Sequence, residues 1–432
     1  MNQHDDSNSI QRARKKVKVG SARVVSSLLA SVTFVGAVSL GVSWKLVDGV
    51  AQSVTPIASS SELKSLSAPI INARRNPQTL SQDVRFRRLN SQLATLGKRL
   101  PTDSCLIIDI EGKRLISINA DVPLLPASNM KIVVAMVALD VLTPEFVFST
   151  SLVGRVNGNV VEGDAYLIGG GDPLLVTSNY PATEPYPTFN YTRLENLFDA
   201  LSSQGITQIQ GSVIGDESRY DAERFTPSLG LGIKGTEVGP LGALMVNDGV
   251  ITGNPIKPDN PALGAATEFS NTLQNNGISV SGVPRVGIAP QELTVIAKID
   301  SLPLSDIVAE MLTNSDNNTA ELLVKELGFA STGVGTREAG LEVMKAKLVE
   351  WGIPLDALTF VDGSGLDRGN RLTCSSLSAL LAKDGGFGPA GLGLAIAGQT
   401  GTLRDVLADS LGAGKLRGKT GTLTGAKSLS GV

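Results

Sequence analysis

Histidine is the scarcest catalytic residue type in this sequence. Its single copy among 432 residues is His4, which lies in a polar N-terminal tail before an apolar stretch. A Ser-His-Asp triad, a Cys-His pair and a histidine-based zinc site therefore have no histidine in the part expected to fold. Any hydrolytic chemistry of this chain must use another base.

Aromatic and charged residues are also few. Aromatic residues make up 4% of the chain and charged residues 18%, with a net charge of −3. This composition gives no case for a nucleic-acid partner, because stacking side chains and a basic surface are both lacking. The two cysteines, Cys105 and Cys374, are too few for a disulfide scaffold. They could form one bridge in an oxidising compartment or remain two buried free thiols.

The N-terminal region has the pattern of a targeting segment. Six basic residues lie between positions 12 and 23, and a run of mostly apolar residues follows at 24–47. This order is typical of a secretory signal or an N-terminal membrane anchor, and it predicts export of the rest of the chain. We expect residues 1–51 to be a cytoplasmic tail with the signal or anchor. Residues 52–80, rich in Ser, Ala, Pro and Gln, are predicted to be a linker.

The remaining chain divides into three predicted parts. Residues 81–147 and 301–432 are mainly helical in pattern, whereas 148–300 alternates short β-type runs with Gly, Asp and Asn turns. We predict helices at 83–100, 126–142, 304–312, 318–328, 337–352 and 374–386, a hairpin of 105–110 with 115–120, and a strand with a turn at the end. The middle part is therefore predicted to be a β-rich insertion.

Ser128 and Lys131 begin the predicted helix that follows Pro126. Residues three apart share a helix face, so the Lys131 amine can reach the Ser128 hydroxyl. A serine needs a base to become a nucleophile, and burial can lower the pKa of a lysine enough for that role. The three-residue spacing of Ser128 and Lys131 is weak evidence by itself. The evidence is stronger here because a predicted hairpin and a proline come before the pair and an apolar helix follows it.

Two further short motifs follow in order. In Ser315-Asp316-Asn317, a hydroxyl could relay a proton and an amide could bind substrate, although a helix cap would explain the same residues. In Lys419-Thr420-Gly421-Thr422, an ammonium and a hydroxyl could bind a carboxylate, although a basic surface strand is the simpler interpretation. The ordered trio is characteristic of β-lactamases and penicillin-binding proteins.

The chain resembles the D-alanyl-D-alanine carboxypeptidases of the DacB type, which are class C low-molecular-mass penicillin-binding proteins of peptidase family S13. The resemblance extends from about residue 80 to the end and includes the blocks PASNMKI, YLIGGGDPLL, GSVIGDESRYD, LMVNDG, SDNNTAELLVKELG, DGSGLDRGNRLT and KTGTLTG. It implies an α+β fold: a serine β-lactamase/transpeptidase-like domain, with an antiparallel sheet, flanking helices and a helical subdomain, interrupted by the β-rich region.

The resemblance also implies catalytic roles. Ser128 would attack the peptide carbonyl between two D-alanines and form an acyl-enzyme, and Lys131 would accept its proton. Ser315 would help to pass a proton to the leaving amine. No metal or organic cofactor is implied. The expected partners are peptidoglycan stem peptides ending in D-Ala-D-Ala, β-lactams as inhibitors, and the membrane if the N-terminal segment is not cleaved.

Binding roles follow from the same resemblance. Asn317 would hold the substrate amide, and Lys419 and Thr420 would bind the terminal carboxylate. The backbone N–H groups of Ser128 and Thr422 would form the oxyanion hole. The segment Asp362–Leu366 is expected to shape the cleft.

Some alternatives remain open. The balance between carboxypeptidase and endopeptidase activity is not determined, and a β-lactamase, an esterase or a non-catalytic cell-wall-binding protein could share the fold. The match ends at Val432 within a block that family members continue through a further strand and helix, so we expect an open sheet edge there. Arg404 lies earlier in its block than the family pattern suggests.

Overall fold

The structure is a computed structural model that describes residues 77–254 and 256–432. The predicted signal or anchor and almost all of the predicted linker lie outside the described residues. Within the described ranges, no helix is both long and apolar enough to cross a membrane. Residues 78–432 form one compact unit.

The described helices and strands follow one another in mixed order. The helices are α1 (Pro77–Gly97), α2 (Met130–Val141), α3 (Glu195–Ser203), α4 (Pro261–Asn275), α5 (Leu304–Asn314), α6 (Asn317–Thr332), α7 (Arg337–Glu350), α8 (Cys374–Asp384) and α9 (Pro389–Leu392). The strands are β1 (Leu106–Ile110), β2 (Lys113–Ile118), β3 (Ser149–Asn157), β4 (Val160–Ile168), β5 (Leu175–Val176), β6 (Thr192–Arg193), β7 (Gln208–Ile209), β8 (Val213–Asp216), β9 (Ser279–Val280), β10 (Arg285–Val286), β11 (Thr294–Asp300), β12 (Ala395–Ile396), β13 (Arg417–Leu423) and β14 (Ala426–Gly431).

Helix α1 differs from its prediction at both ends. It begins at Pro77, inside the predicted linker, and ends at Gly97, before the predicted end at residue 100. A Cβ at Gly97 would lie 2.6 Å from Ile118, so the helix ends where its backbone meets β2. Among the described side chains of this helix, Phe86 is buried and Val84 is 65% exposed.

The first hairpin has a tighter turn than predicted. Glu111 and Gly112 both have positive φ angles, 51° and 74°, and the second strand begins directly at Lys113. Such a two-residue turn matches the natural twist of two antiparallel strands. A disulfide joins Cys105, beside this hairpin, to Cys374 at the start of α8. Of the two states left open for the cysteines, the structure therefore contains the bridge.

Helix α2 is the centre of the helical core. Its first nine residues, Met130–Ala138, are all buried, as expected of a helix that is apolar on every side. It packs in one cluster with apolar side chains of α5, α6, α7 and α8. A short 3-10 turn at Ala127–Asn129 leads into it, so the predicted helix at 126–142 is confirmed with an irregular first turn.

The inserted region is built on a seven-stranded sheet with the order β10-β8-β4-β3-β11; in addition, β7 pairs with β4, and β9 pairs with β7. Two helices, α3 and α4, pack on this sheet. Neither was predicted, because the β-type pattern of this region was the stronger signal. Helix α4 carries a sequence signal that could have found it, because Asn260 caps its first N–H groups and Pro261 follows at the first helical position. Within the predicted β-rich region, the stretch 249–253 is a turn with an isolated bridge.

The third motif, Lys419-Thr420-Gly421-Thr422, lies in the last sheet. Strands β12, β13 and β14 pair antiparallel, with β14 at one edge in the part of the chain described. Before and after the inserted region in sequence, the chain forms helices and antiparallel strands. This arrangement agrees with the predicted α+β class.

Candidate active site

The nucleophile turn is held by close backbone contacts. Ala127 has a left-handed φ of 48°, which presents Ser128 in the 3-10 turn. The Ser428 hydroxyl of β14 donates to the Pro126 carbonyl at 2.7 Å. A Cβ at Gly421 would lie 2.8 Å from that same carbonyl oxygen, so only glycine lets β13 approach the turn so closely.

Lys131 lies one helical turn beyond Ser128 and is fully buried. Its Nζ is 3.1 Å from Ser128 Oγ, 2.7 Å from Asn317 Oδ1 and 2.7 Å from the Ser364 carbonyl oxygen. Burial lowers its pKa to about 8, and nearby carboxylates, first that of Asp316, limit the shift. A lysine with this pKa is partly neutral near pH 7 and can accept a proton from the hydroxyl that it contacts.

The second motif joins two helices. Ser315 ends α5 with a left-handed φ of 66°, and the Asp316 carboxylate caps α6 by accepting from the Thr319 N–H. The helix-cap interpretation is therefore correct for Asp316, while its two neighbours face the cleft. Asn317 accepts from Lys131 through Oδ1 and donates through Nδ2 to the Glu237 carbonyl at 2.7 Å.

The third motif lies on β13. Lys419 is fully buried, and its Nζ donates to Ser315 Oγ at 2.8 Å and to the Thr420 carbonyl at 2.9 Å. Burial, followed by the charge of Lys131, holds its pKa well below the usual lysine value. The simpler interpretation of a basic surface strand is wrong, because the ammonium points into the protein and contacts the second motif.

One cleft brings the predicted residues together. It has a volume of about 620 Å³, and its lining includes Ser128, Ser315, Asn317, Thr420 and Thr422. Lys131 and Lys419 lie behind the lining of the cleft, and each is hydrogen-bonded to residues of that lining. All seven predicted site residues are therefore brought into or directly behind a single cavity.

The segment Asp362–Leu366, which was expected to shape the cleft, follows α7 and contributes Leu366 to the cleft lining. Asp362 accepts from the N–H groups of Gly365 and Asp367 at 2.8 and 2.7 Å. The Glu321 carboxylate accepts from the Ser364 N–H at 2.7 Å, and burial raises the pKa of Glu321 to about 7. Sequence reasoning missed Glu321, because a glutamate inside a helical pattern looks like a surface residue.

A loop of the inserted region forms another wall that was not predicted. Residues 177–191 contribute Tyr180, Glu184 and Tyr186 to the cleft lining. Burial, followed by the charges of Asp248 and Asp316, raises the pKa of Glu184 to about 7. Prolines at 181, 185 and 187 were a signal of an ordered loop. Nothing in their spacing located it at the active site.

Arg404 lies outside the catalytic cleft. Its guanidinium is 5.6 Å from the ring centroid of Tyr186 and lines a neighbouring groove of about 440 Å³. Within residues 77–254 and 256–432, no group of three or more His, Cys, Asp or Glu side chains is arranged to hold a metal ion.

Comparison with models of protein families shows which family the chain belongs to. The model of the D-Ala-D-Ala carboxypeptidase 3 (S13) family matches residues 99–260 and 245–432. The chain belongs to this family. A carboxypeptidase of Mycobacterium tuberculosis is 31% identical over 75% of this chain and 71% of its own length. A D-alanyl-D-alanine carboxypeptidase of Actinomadura is 27% identical over 74% of this chain and 72% of its own.

The S13 assignment agrees with the fold. Penicillin-binding protein 4 (dacB) of Haemophilus influenzae superposes with a TM-score of 0.64 at 21% identity, over 78% of this chain and 89% of that one. A second structure of that protein, with a bound β-lactam, has a TM-score of 0.60. The predicted family, fold class and class of enzyme, a serine-type D-Ala-D-Ala carboxypeptidase, are therefore confirmed. The family acts on the cell wall outside the cytoplasm, which agrees with the predicted export.

Proposed function

We propose that this chain removes the terminal D-alanine from peptidoglycan stem peptides through an acyl-enzyme on Ser128. This proposal rests on two lysine–serine contacts behind the cleft. Lys131 Nζ lies 3.1 Å from the Ser128 hydroxyl, and Lys419 Nζ lies 2.8 Å from the Ser315 hydroxyl. These contacts support Lys131 as the base that activates the nucleophile and Lys419 as the source of positive charge beside the proton relay.

In the acylation step, the Ser128 oxygen attacks the carbonyl carbon of the penultimate D-alanine, and the hydroxyl proton passes to neutral Lys131. The backbone N–H groups of Ser128 and Thr422 receive the developing oxyanion. The peptide C–N bond breaks when the proton that Lys131 accepted passes by way of the Ser315 hydroxyl to the leaving nitrogen, so that Lys131 is neutral again. The products are an ester on Ser128 and free D-alanine.

In the deacylation step, a water molecule attacks the ester carbonyl and loses its proton to Lys131. The ester C–O bond then breaks, Lys131 returns the proton to the Ser128 oxygen, and the shortened peptide leaves with a new terminal carboxyl group. Asn317 can donate its remaining amide hydrogen to the substrate backbone while it stays bonded to Lys131. The Lys419 ammonium and the Thr420 hydroxyl bind the terminal carboxylate, and a β-lactam carboxylate would occupy the same position.

The cellular location is proposed from two features. The N-terminal pattern predicts export, and the disulfide between Cys105 and Cys374 is of the kind that persists in oxidising compartments. We propose an extracytoplasmic enzyme. Its attachment to the membrane through an uncleaved N-terminal segment stays a prediction.

The first experiment is labelling with a fluorescent penicillin, followed by intact-mass measurement. We expect one adduct on the parent protein and none on the Ser128→Ala variant. A peptide ending in D-Ala-D-Ala and a cross-linked dimer of such peptides, assayed in parallel, separate carboxypeptidase from endopeptidase activity. A folded parent protein that forms no adduct would favour the non-catalytic cell-wall-binding protein.

A further inference from the structure

Two adjacent asparagines at the start of α6 hold the same segment of the inserted region. Asn317 Nδ2 donates to the Glu237 carbonyl at 2.7 Å, and Asn318 Oδ1 accepts from the Gly239 N–H at 2.6 Å. Asn318 is only 6% exposed, so water does not compete freely for this contact. Residues 237–239 are therefore tied to the second catalytic motif by a pair of hydrogen bonds.

The Glu237 carbonyl determines which way the Asn317 amide faces. With Nδ2 bonded to that carbonyl, Oδ1 faces the Lys131 ammonium at 2.7 Å. The reversed amide would bring its NH₂ group against the ammonium and its oxygen against the carbonyl. Both contacts would leave polar groups without partners inside the protein, which is unfavourable.

Asn318 continues into a chain of hydrogen bonds across the inserted region. Its Nδ2 donates to Asp248 Oδ1 at 2.8 Å, and the Tyr180 hydroxyl donates to Asp248 Oδ2 at 3.0 Å. Burial, followed by the charges of Asp248 and Glu184, raises the pKa of Tyr180, so its hydroxyl stays a donor. Three segments that are distant in sequence thus meet at one carboxylate, whose residue has a left-handed φ of 52°.

We propose that Asn318, Asp248 and Tyr180 form a positioning chain that holds residues 237–239 against α6 and thereby orients the Asn317 amide for acylation. The inference rests on the role of Asn317 in the proposed function. None of the three residues is required to react, and each acts through Asn317.

The decisive test is a reciprocal exchange. Asn318→Asp places a carboxylate against that of Asp248, and we expect the second-order rate constant of acylation by penicillin to fall about 10–100-fold. Adding Asp248→Asn restores every bond with the roles exchanged, because the new amide can donate to position 318 and accept from Tyr180. We expect the double variant to acylate within about threefold of the parent protein, since the hydrogen-bond network is complete again.

A second readout separates positioning from general damage. If the Asn317 amide turns away, the Lys131 ammonium loses an acceptor, and its pKa should fall. The rise of the acylation rate with pH should then begin at lower pH in Tyr180→Phe, which adds no charge near Lys131, and lie at the parental position in the exchange variant, whose net charge equals that of the parent protein.

A matched control is available in the inserted region. Asn260 donates to Glu217 at 2.9 Å, so Asn260→Asp also brings two carboxylates together, away from the cleft lining and beside the Arg224 that pairs with Glu217. We expect it to lower the melting temperature while the acylation rate of the folded protein is unchanged. If Asn318→Asp does not fold, Tyr180→Phe, with an expected drop of about three- to tenfold, and the exchange variant decide the question.

Parental acylation rates in Asn318→Asp or in Tyr180→Phe would overturn the positioning chain. So would a folded exchange variant that remains as slow as Asn318→Asp. A parent protein that penicillin does not label would instead contradict the proposed function, and the two failures are therefore distinguishable.

Discussion

At the scale of single residues, the site depends on lysines that the fold removes from water. Lys131 and Lys419 are both fully buried, and both have a lowered pKa because burial disfavours the charged form. Neither ammonium lies free, since each donates to side-chain or backbone oxygens of the neighbouring motifs. Their charge is thus partly compensated without a direct ion pair.

The pH dependence of acylation follows from Lys131. Its pKa of about 8 lies below the usual lysine value, so the neutral, proton-accepting form increases as pH rises through 8. We expect the acylation rate constant with penicillin to rise steeply between about pH 6 and pH 8.5, following that neutral fraction. A Lys131→Arg variant, which stays protonated, should be at least about 100-fold slower at every pH. A flat profile in the parent protein would contradict the role of Lys131 as base.

The nucleophile turn depends on the absence of a side chain at Gly365. Its φ is 85°, and a Cβ there would lie 1.9 Å from the Ala127 carbonyl oxygen. We expect Gly365→Ala to displace the turn and to lower acylation by more than about tenfold. Gly112→Ala is the matched control, because Gly112 has a φ of 74° with nothing within 4 Å of its Cβ. The control should lose some stability but acylate normally, and equal loss of acylation in both would contradict this account.

At the scale of elements, α2 and α6 converge on Lys131, and α8 connects the N-terminal hairpin to the helical core. The link to the hairpin is the disulfide between Cys105 and Cys374, which are 269 residues apart. Leu380 of α8 is fully buried in the same cluster as α2. The hairpin and the helix are therefore constrained together although they are distant in sequence.

Removing the disulfide should affect stability more than catalysis. We expect a Cys105→Ser/Cys374→Ser variant to lose about 2–4 kcal/mol of unfolding free energy, because the unfolded chain is no longer cross-linked. Urea denaturation measures this loss, and acylation below the transition should change less than about twofold because no catalytic contact is removed. Reductant should destabilise the parent protein and leave the variant unchanged. Equal stability of the two oxidised proteins would refute the expectation.

At the scale of the whole molecule, the inserted region and the helical part share a core and an ion-pair network. Tyr220, Val238 and Met245 of the insertion pack in one cluster with Leu322 of α6. Beside this cluster, Arg219 pairs with Glu326 at 2.6 Å. The insertion is thus part of the catalytic unit and supplies one wall of its cleft.

The pair of Arg219 with Glu326 should be important for stability. The Glu326 carboxylate is fully buried and also accepts from the Tyr220 hydroxyl at 2.7 Å. We expect Glu326→Gln to lower the unfolding free energy by about 1–3 kcal/mol, since it removes the charge that the buried Tyr220 hydroxyl and the partly buried Arg219 guanidinium contact. Glu342→Gln, which removes an exposed pair with Lys345, should change it by less than about 0.5 kcal/mol. Equal effects in denaturation would contradict the structural role of the buried pair.

Much of the site could be predicted because its chemistry is local. The Ser128–Lys131 spacing defines one helix face, and the scarcity of histidine excludes competing hydrolase designs. Prediction failed where long-range contacts decide structure. Helix α1 ends at Gly97, where the Ile118 side chain of β2 leaves no room for a Cβ, and α3 and α4 cover a sheet whose strands were the stronger local signal.

The sequence by itself determined the order of the motifs, the family and the kind of base available, because residue identity and short spacing are properties of the chain. Only the tertiary structure decided that both lysines are buried, that Asn317 faces Lys131, and that an inserted loop lines the cleft. Those properties arise when segments far apart in sequence exclude water from one another. The pKa that makes Lys131 a base is therefore a property of the assembled fold.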